Sequence, residues 1–378
     1  MSKKWKPETR AIRDTFKKDA NAGAVSAPIT LSTNFEREAD GSYKHGFVYS
    51  RIDNPNRQLL EQSLATLESG AAAVAFSSGM AATSAAFQLL ELGDHVILPV
   101  DAYYSTQELM TGLFEKWGVK MTTVDMSDPA NVRNAVTEST KLIWVETPSN
   151  PGLKVSDIGV ISSIAHDIGA ICVIDNTWAT PVIQNPLKFG ADIVMHSSTK
   201  YLGGHGDVSG GALILKDNSF EEKLKKIQQL SGAVPSPFDC WLITRGIKTL
   251  FARYKVQQNS AHELANFLSN HPQIDKVHYP GLMSHPQYEI AQKQMVGGFG
   301  AMLSVEVKGD AKKAMMLADS LKLFTTATSL GGVESLIEHR KSVEGENSPT
   351  PDNLLRVSVG LENVKDLIDD WEEALNKI

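Results

Sequence analysis

The chain has 378 residues, 42% of them apolar and 21% charged, and a formal net charge of −7. That length allows two or three domains and a large buried core, in a composition ordinary for a globular protein. The acidic balance argues against a nucleic-acid or anionic-membrane partner, while a local basic pocket could still take a small anion.

The opening MSKKWKPETR has no apolar run behind its charges, so no secretory signal is expected. No stretch reaches the roughly 18 apolar residues of a membrane span. Cys172 and Cys240 make neither a metal nor a disulfide spacing and suit a reducing compartment. A cytoplasmic protein without a bound metal is expected.

Residues 1–50 show little periodicity and read as an extended arm lying on the molecule or on a neighbouring subunit. At Asn54 a helix begins, with Asn54 as cap and Pro55 in its first turn, and Gly70 ends it. Short apolar runs follow at 72–76, 95–99, 119–125, 141–146, 171–175, 192–197 and 210–215. Helical patterns separate them near 79–91, 104–117, 128–137 and 156–168. Strands apolar on both faces and alternating with helices predict a mainly parallel seven-stranded α/β sheet covered on both sides. Residues 51–235 make this large domain. Residues 236–378 read as a smaller α+β domain, with a long helix over 240–269, strands at 301–307 and 354–360, helices near 310–321 and at the end, and a polar loop over 338–353.

In such a sheet, ligands collect outside the carboxyl ends of the strands. Three predicted strand ends carry chemistry: Glu146 with Asn150 beyond it; Asp175; and the run Ser197, Ser198, Thr199, Lys200. A carboxylate and a lysine buried on one rim are costly unless each is paired. A phosphorylated pyridine aldehyde satisfies them together. Lys200, with its proton affinity lowered by burial, would form an imine with the aldehyde. Asp175 would keep the ring nitrogen protonated, so that the ring accepts electrons. Hydroxyls of Ser197 and Thr199 would reach the phosphate. SSGMAA (77–82), where a strand stops and a helix starts at Gly79, would be its main cradle, with Ser77 and Ser78 as added donors. Singly, each residue has an ordinary alternative: a surface lysine, a capping aspartate, a helix start without a ligand. Their order along one βα pattern favours the joint reading.

These segments resemble the pyridoxal-phosphate enzymes of cysteine and methionine metabolism, of aspartate-aminotransferase-like fold type I. The likeness rests on YSRIDNP (49–55), SSGMAA, WVETPSNP (144–151), DNTWATP (175–181), ADIVMHSSTKYLGGHGDVSGG (191–211), SLGGVES (329–335) and LLRVSVGLE (354–362). It implies pyridoxal 5'-phosphate as cofactor, with Lys200 the imine lysine, Asp175 the pyridinium partner and Thr177 beside the ring. Ser78, Gly79, Met80, Ser197 and Thr199 would bind the phosphate. Tyr103 would stack on the ring and help move protons. Tyr49 and Arg51 would reach the phosphate of an adjacent subunit, which implies a homotetramer built from dimers with shared sites. Arg356 would clasp the substrate α-carboxylate, and Asn150 and Ser329 would assist it.

The resemblance also implies a reaction. Glu334 in SLGGVES matches a glutamate of cystathionine γ-synthases and γ-lyases, where it would meet the distal amino group of cystathionine or cysteine. The expected chemistry is making or breaking a C–S bond at Cγ. β-Lyase, methionine γ-lyase and sulfhydrylase activities of the same family are alternatives, as are an aminotransferase and a non-catalytic sensor. Tyr104 and Ser105, and Arg340 and Lys341 in place of a Pro-Ala pair near the substrate entrance, depart from the family pattern.

Overall fold

The computed structural model describes residues 5–14, 22–346 and 348–378. Seven strands make the large sheet: β1 (Ala72–Phe76), β2 (His95–Pro99), β3 (Lys120–Val124), β4 (Thr140–Glu146), β5 (Ile171–Asp175), β6 (Ile193–His196) and β7 (Gly211–Leu215). Their spatial order is β1-β7-β6-β5-β4-β2-β3, and β7 alone runs antiparallel to its neighbours. The carboxyl ends of β1, β4, β5 and β6 therefore open on one edge, together with the amino end of β7. The seven expected strands are all present.

Continuous Val, Ile and Leu runs form these strands because both faces are covered. Val74, Leu98, Trp144 and Met195 pack on one side with Phe87 and Phe114. Val145, Ile174, Val194 and Ile214 pack on the other with Leu60, Leu64 and Ile161. The Phe87 and Trp144 rings sit 5.2 Å apart at their centroids. Burial of each such ring stabilises the fold by about 1.5–3 kcal/mol.

The core on the second side runs on into a smaller sheet of order β10-β11-β12-β9-β8. Its strands are β8 (Ile274–His278), β9 (Met302–Val307), β10 (Thr325–Thr326), β11 (Leu336–His339) and β12 (Leu354–Ser358).

Several elements differ from the sequence reading. The arm contains a helix, Pro7–Arg13. The expected 240–269 helix is two, Pro237–Ile247 and Leu250–Ser269. At Gly246 a Cβ would collide with the Leu202 and Gly203 carbonyls, so the chain runs hard against the lysine loop there. Residues 338–353 are not simply a polar loop, for β11 ends at His339 and a helix spans Arg340–Glu344. Charges that look solvated in sequence pair with one another and are buried there: Glu338 is 4% and Arg340 3% exposed. No helix of the described residues is long and apolar enough to cross a membrane.

Candidate active site

The strand ends on the shared edge are held from beneath by a buried polar network. His196 Nε2 lies 2.6 Å from Glu68 Oε1, and Asn176 Nδ2 donates to the same oxygen at 2.7 Å. Glu68 stands at the end of the helix Pro55–Glu68, so that helix fixes where β5 and β6 stop. Asp175 and Ser197 emerge directly above this network.

A cavity of about 460 Å³ opens over the edge, within the range of small-molecule sites. Of the residues expected at a site, it is lined by Ser78, Gly79, Met80, Tyr103, Asn150, Asp175, Thr177, Ser197, Thr199, Lys200, Ser329 and Arg356. Four expected residues lie elsewhere: Ser77 is exposed, does not line the cavity and donates its N–H to the Ala233 carbonyl at 3.1 Å, and the others are Tyr49, Arg51 and Glu334. Tyr49 and Arg51 stack on each other at 5.7 Å, Tyr49 is 41% exposed, and Arg51 Nη1 donates to the Gln229 carbonyl at 3.0 Å. Glu334 is exposed and does not line the cavity.

One end of the cavity is built for an anion. Ser78 caps the helix Gly79–Phe87, its Oγ accepting from the Ala81 N–H at 3.1 Å. A Cβ on Gly79 would sit 2.8 Å from the Cβ and Oγ of Ser197, so only glycine leaves this helix start bare. First-turn N–H groups have no acceptor within the helix and favour negative charge. Thr199 Oγ1 both donates to the Gly210 carbonyl and accepts from its N–H, which shapes the opposite wall.

Thr177 ties two site elements together. Its N–H donates to Asp175 Oδ1 and its Oγ1 accepts from the Ser197 N–H, each at 2.9 Å. Burial raises the Asp175 carboxyl above its ordinary range, against the hydrogen bonds from Thr177. Glu146 is the in-register neighbour of Asp175 on β4. Burial, and then the nearby Asp175 charge, raise Glu146 well above the usual carboxylate range. Its Oε2 accepts from the Tyr103 N–H at 2.7 Å, which anchors the turn presenting the Tyr103 ring.

The other end is cationic. Lys200 Nζ donates to Ser329 Oγ at 2.7 Å. Burial, and then the Arg356 guanidinium, pull the Lys200 amine down to about 8. Arg356 donates to the Ser329 carbonyl at 2.9 Å, to Asn150 Oδ1 at 3.3 Å and to Glu338 Oε2 at 2.7 Å. Ser329, between the two cations, holds φ at 79°. A non-glycine residue there stores about 1–3 kcal/mol of strain and tends to mark functional sites.

Glu338 was missed in the sequence. Its signal was the run Glu338, Arg340, Glu344: Arg340 and Glu344, four apart, share one face of a helix, and Glu338 stands near the end of β11 just before it, within reach of Arg340. Ser209 and Thr328 also line the cavity without having been anticipated.

The residues present fit a phosphorylated pyridine aldehyde. They supply a bare anion cradle, a carboxylate across the floor, an amine of lowered proton affinity and a guanidinium for a second anion. A family model described as Cys/Met metabolism PLP-dependent enzyme matches residues 8–376. A cystathionine gamma-synthase of Mycobacterium tuberculosis (strain H37Rv) is 47% identical over 375 residues, covering 98% of this chain and 96% of the relative. A cystathionine gamma-lyase of Dictyostelium discoideum is 42% identical, covering 99% and 98%. A crystal structure of cystathionine gamma synthase from Xanthomonas oryzae pv. oryzae in complex with cystathionine superposes with a TM-score of 0.95 at 39% identity, covering 99% of this chain and 98% of that one. Fold, cavity chemistry and a match along almost the whole chain agree: the chain belongs to the Cys/Met metabolism family of PLP-dependent enzymes, and its cofactor is pyridoxal 5'-phosphate.

Proposed function

We propose that this enzyme makes or breaks the C–S bond at Cγ of an amino acid, as a cystathionine γ-synthase acting on an O-acylhomoserine and cysteine or as a γ-lyase acting on cystathionine. The observation that carries the reading is the Lys200–Ser329–Arg356 chain, which sets one amine of lowered proton affinity beside a buried guanidinium. Arg356, with Asn150 and Ser329, grips the α-carboxylate and so aims Cα at Lys200.

The cofactor, when bound, supplies an electron sink conjugated to the α-carbon through the substrate's amino nitrogen. Lys200 is its covalent anchor and the base at Cα. Among the described residues it is the only lysine lining the cavity, so it also serves the second deprotonation, at Cβ, that a γ-leaving group requires. Asp175 would keep the ring nitrogen protonated, and Ser78, Gly79, Met80, Ser197 and Thr199 would hold the phosphate. Thr177 steadies Asp175, and Tyr103 would lie beside the ring and relay protons at the leaving sulfur or oxygen. Glu334, outside this cavity wall, is left as a contact for the substrate's distal amino group.

The test compares turnover on O-succinylhomoserine plus cysteine with turnover on cystathionine alone. One of the two should dominate. Activity confined to methionine, or to O-acetylhomoserine plus sulfide, or to amino transfer from 2-oxoglutarate, would overturn the assignment.

The same reading includes a cytoplasmic homotetramer built from dimers, with the arm, Tyr49 and Arg51 crossing to a neighbour's phosphate. The exposure of Tyr49 and the absence of both residues from the lining of their own cavity support it. Arg51→Ala should then weaken cofactor affinity by about 10–100-fold, the loss expected of a charge-assisted hydrogen bond. Equilibrium dialysis of the cofactor measures it, and unchanged affinity would remove the cross-subunit role.

A further inference from the structure

Arg356 belongs to a buried ladder of four charges. Glu338 Oε2 accepts from Arg356 Nη2 at 2.7 Å and from Arg340 Nη1 at 2.6 Å, while Glu338 Oε1 is buried without a partner among the described residues. Arg340 is held on its far side by Glu344 Oε1, at 2.8 Å from Nη2 and 3.1 Å from Nε. Glu344 Oε2 in turn accepts from Thr350 Oγ1 at 2.6 Å and from Ser348 Oγ at 2.5 Å. Glu338, Arg340 and Arg356 are 3–4% exposed, so little water shares the pairing. Arg340 and Arg356 both also face the cavity.

The arrangement poses a conflict. A carboxylate beside an arginine in a dry site tends toward a two-pronged pair, which uses up one edge of the guanidinium and cancels its charge. Substrate α-carboxylate needs that same edge and charge. Left to Arg356 alone, Glu338 would compete with every substrate.

We propose that Arg340 is a positioning residue that keeps Arg356 open to the substrate by sharing Glu338. It draws the bonded oxygen of Glu338 toward itself, holds the carboxylate to one contact with Arg356, and leaves Oε1 unbonded. Glu344 fixes how hard Arg340 pulls. The helix Arg340–Glu344 thereby tunes affinity for any amino-acid substrate at its α-carboxylate, whatever its distal group. This rests on the reading that Arg356 binds that carboxylate.

The test uses the holoenzyme and L-norvaline, which carries an α-carboxylate and amine but no leaving group at Cγ. Binding is read from the change in cofactor absorbance, and KM and kcat are measured alongside on the preferred substrate. Arg340→Met should weaken norvaline binding by about tenfold or more and raise KM by a similar factor, with a smaller fall in kcat. Adding Glu338→Gln to Arg340→Met should restore binding to within about threefold of wild type, because a neutral amide no longer cancels Arg356. Glu344→Gln alone should act in the opposite sense and tighten binding, since Arg340 is then free to pull harder on Glu338. Its result decides the matter should Arg340→Met not fold. Unchanged binding in Arg340→Met, failure of Glu338→Gln to restore it, or weaker binding in Glu344→Gln each overturns the proposal. A wild-type holoenzyme that shows no response to norvaline refutes the underlying reading of Arg356, and this inference with it. A normal wild-type response with norvaline binding unchanged in Arg340→Met refutes the inference alone.

Discussion

Lys200→Ala should abolish turnover, by at least about 10⁴-fold, because one side chain serves both as covalent anchor and as base. The cofactor should still bind, now reversibly, through the helix start at Gly79 and the Ser197 and Thr199 wall. Borohydride treatment should then leave no cofactor-modified peptide. The pH dependence of loading sharpens this. Burial places the Lys200 amine at about 8, so a protonated, unreactive ammonium prevails below that pH and a free amine above it. The rate at which cofactor-free wild-type protein captures the aldehyde should therefore rise through pH 8 and level off, where an ordinary lysine would still be climbing toward 10.5. Stopped-flow absorbance measures that rate, and in Lys200→Ala the rise should vanish. A midpoint near that of an ordinary lysine would show that the amine is not desolvated as the cavity implies.

The large sheet and its cargo were legible because each signal is local and repeated. Apolar runs such as ICVID and DIVMHS report strands buried on both faces. The residues just beyond them must then lie on the ligand edge, so Asp175, Ser197 and Lys200 follow from period and topology together. The ladder behind Arg356 was not legible for the converse reason. Glu338, Arg340, Lys341 and Glu344 stand in a dense run of charges, and charge density reads as solvent exposure. Only the fold brings Arg356 on β12 opposite Glu338 on β11, and only that pairing makes burial of the run tolerable. The split at Lys248 escaped for a similar reason, because Gly246 is dictated by the Leu202 and Gly203 backbone more than forty residues earlier. Tyr49 and Arg51 mark a third limit, since one chain gives them no visible partner at its own cavity.

The second large effect concerns which of two neighbouring acids carries the charge. Asp175 and Glu146 are in register on adjacent parallel strands, and burial raises both. Two desolvated carboxyls side by side resist double ionisation, so the pair keeps one proton. Asp175 is the better anion of the two. It accepts the Thr177 N–H and feels the nearby His196, whereas Glu146 accepts only the Tyr103 N–H and faces Asp101 as well as Asp175, with Arg340 the smallest, opposing influence. The proton therefore resides on Glu146, and Asp175 offers its charge to the ring nitrogen. Asp175→Asn preserves shape and the Thr177 contact but removes that charge, and turnover should fall by about 10²–10³-fold, as for loss of one electrostatic partner at a reacting centre. Glu146→Gln replaces a group that is already neutral, and its loss should stay within about tenfold. Removing a buried charge also relieves its desolvation cost, so cofactor-free Asp175→Asn should melt no lower than wild type, a separation of activity from stability expected where a site holds unfavourable charge. Turnover and thermal unfolding of the two variants, measured side by side, decide the point. Equal losses in both, or the larger loss in Glu146→Gln, would place the working charge on Glu146 and undo the assignment of Asp175.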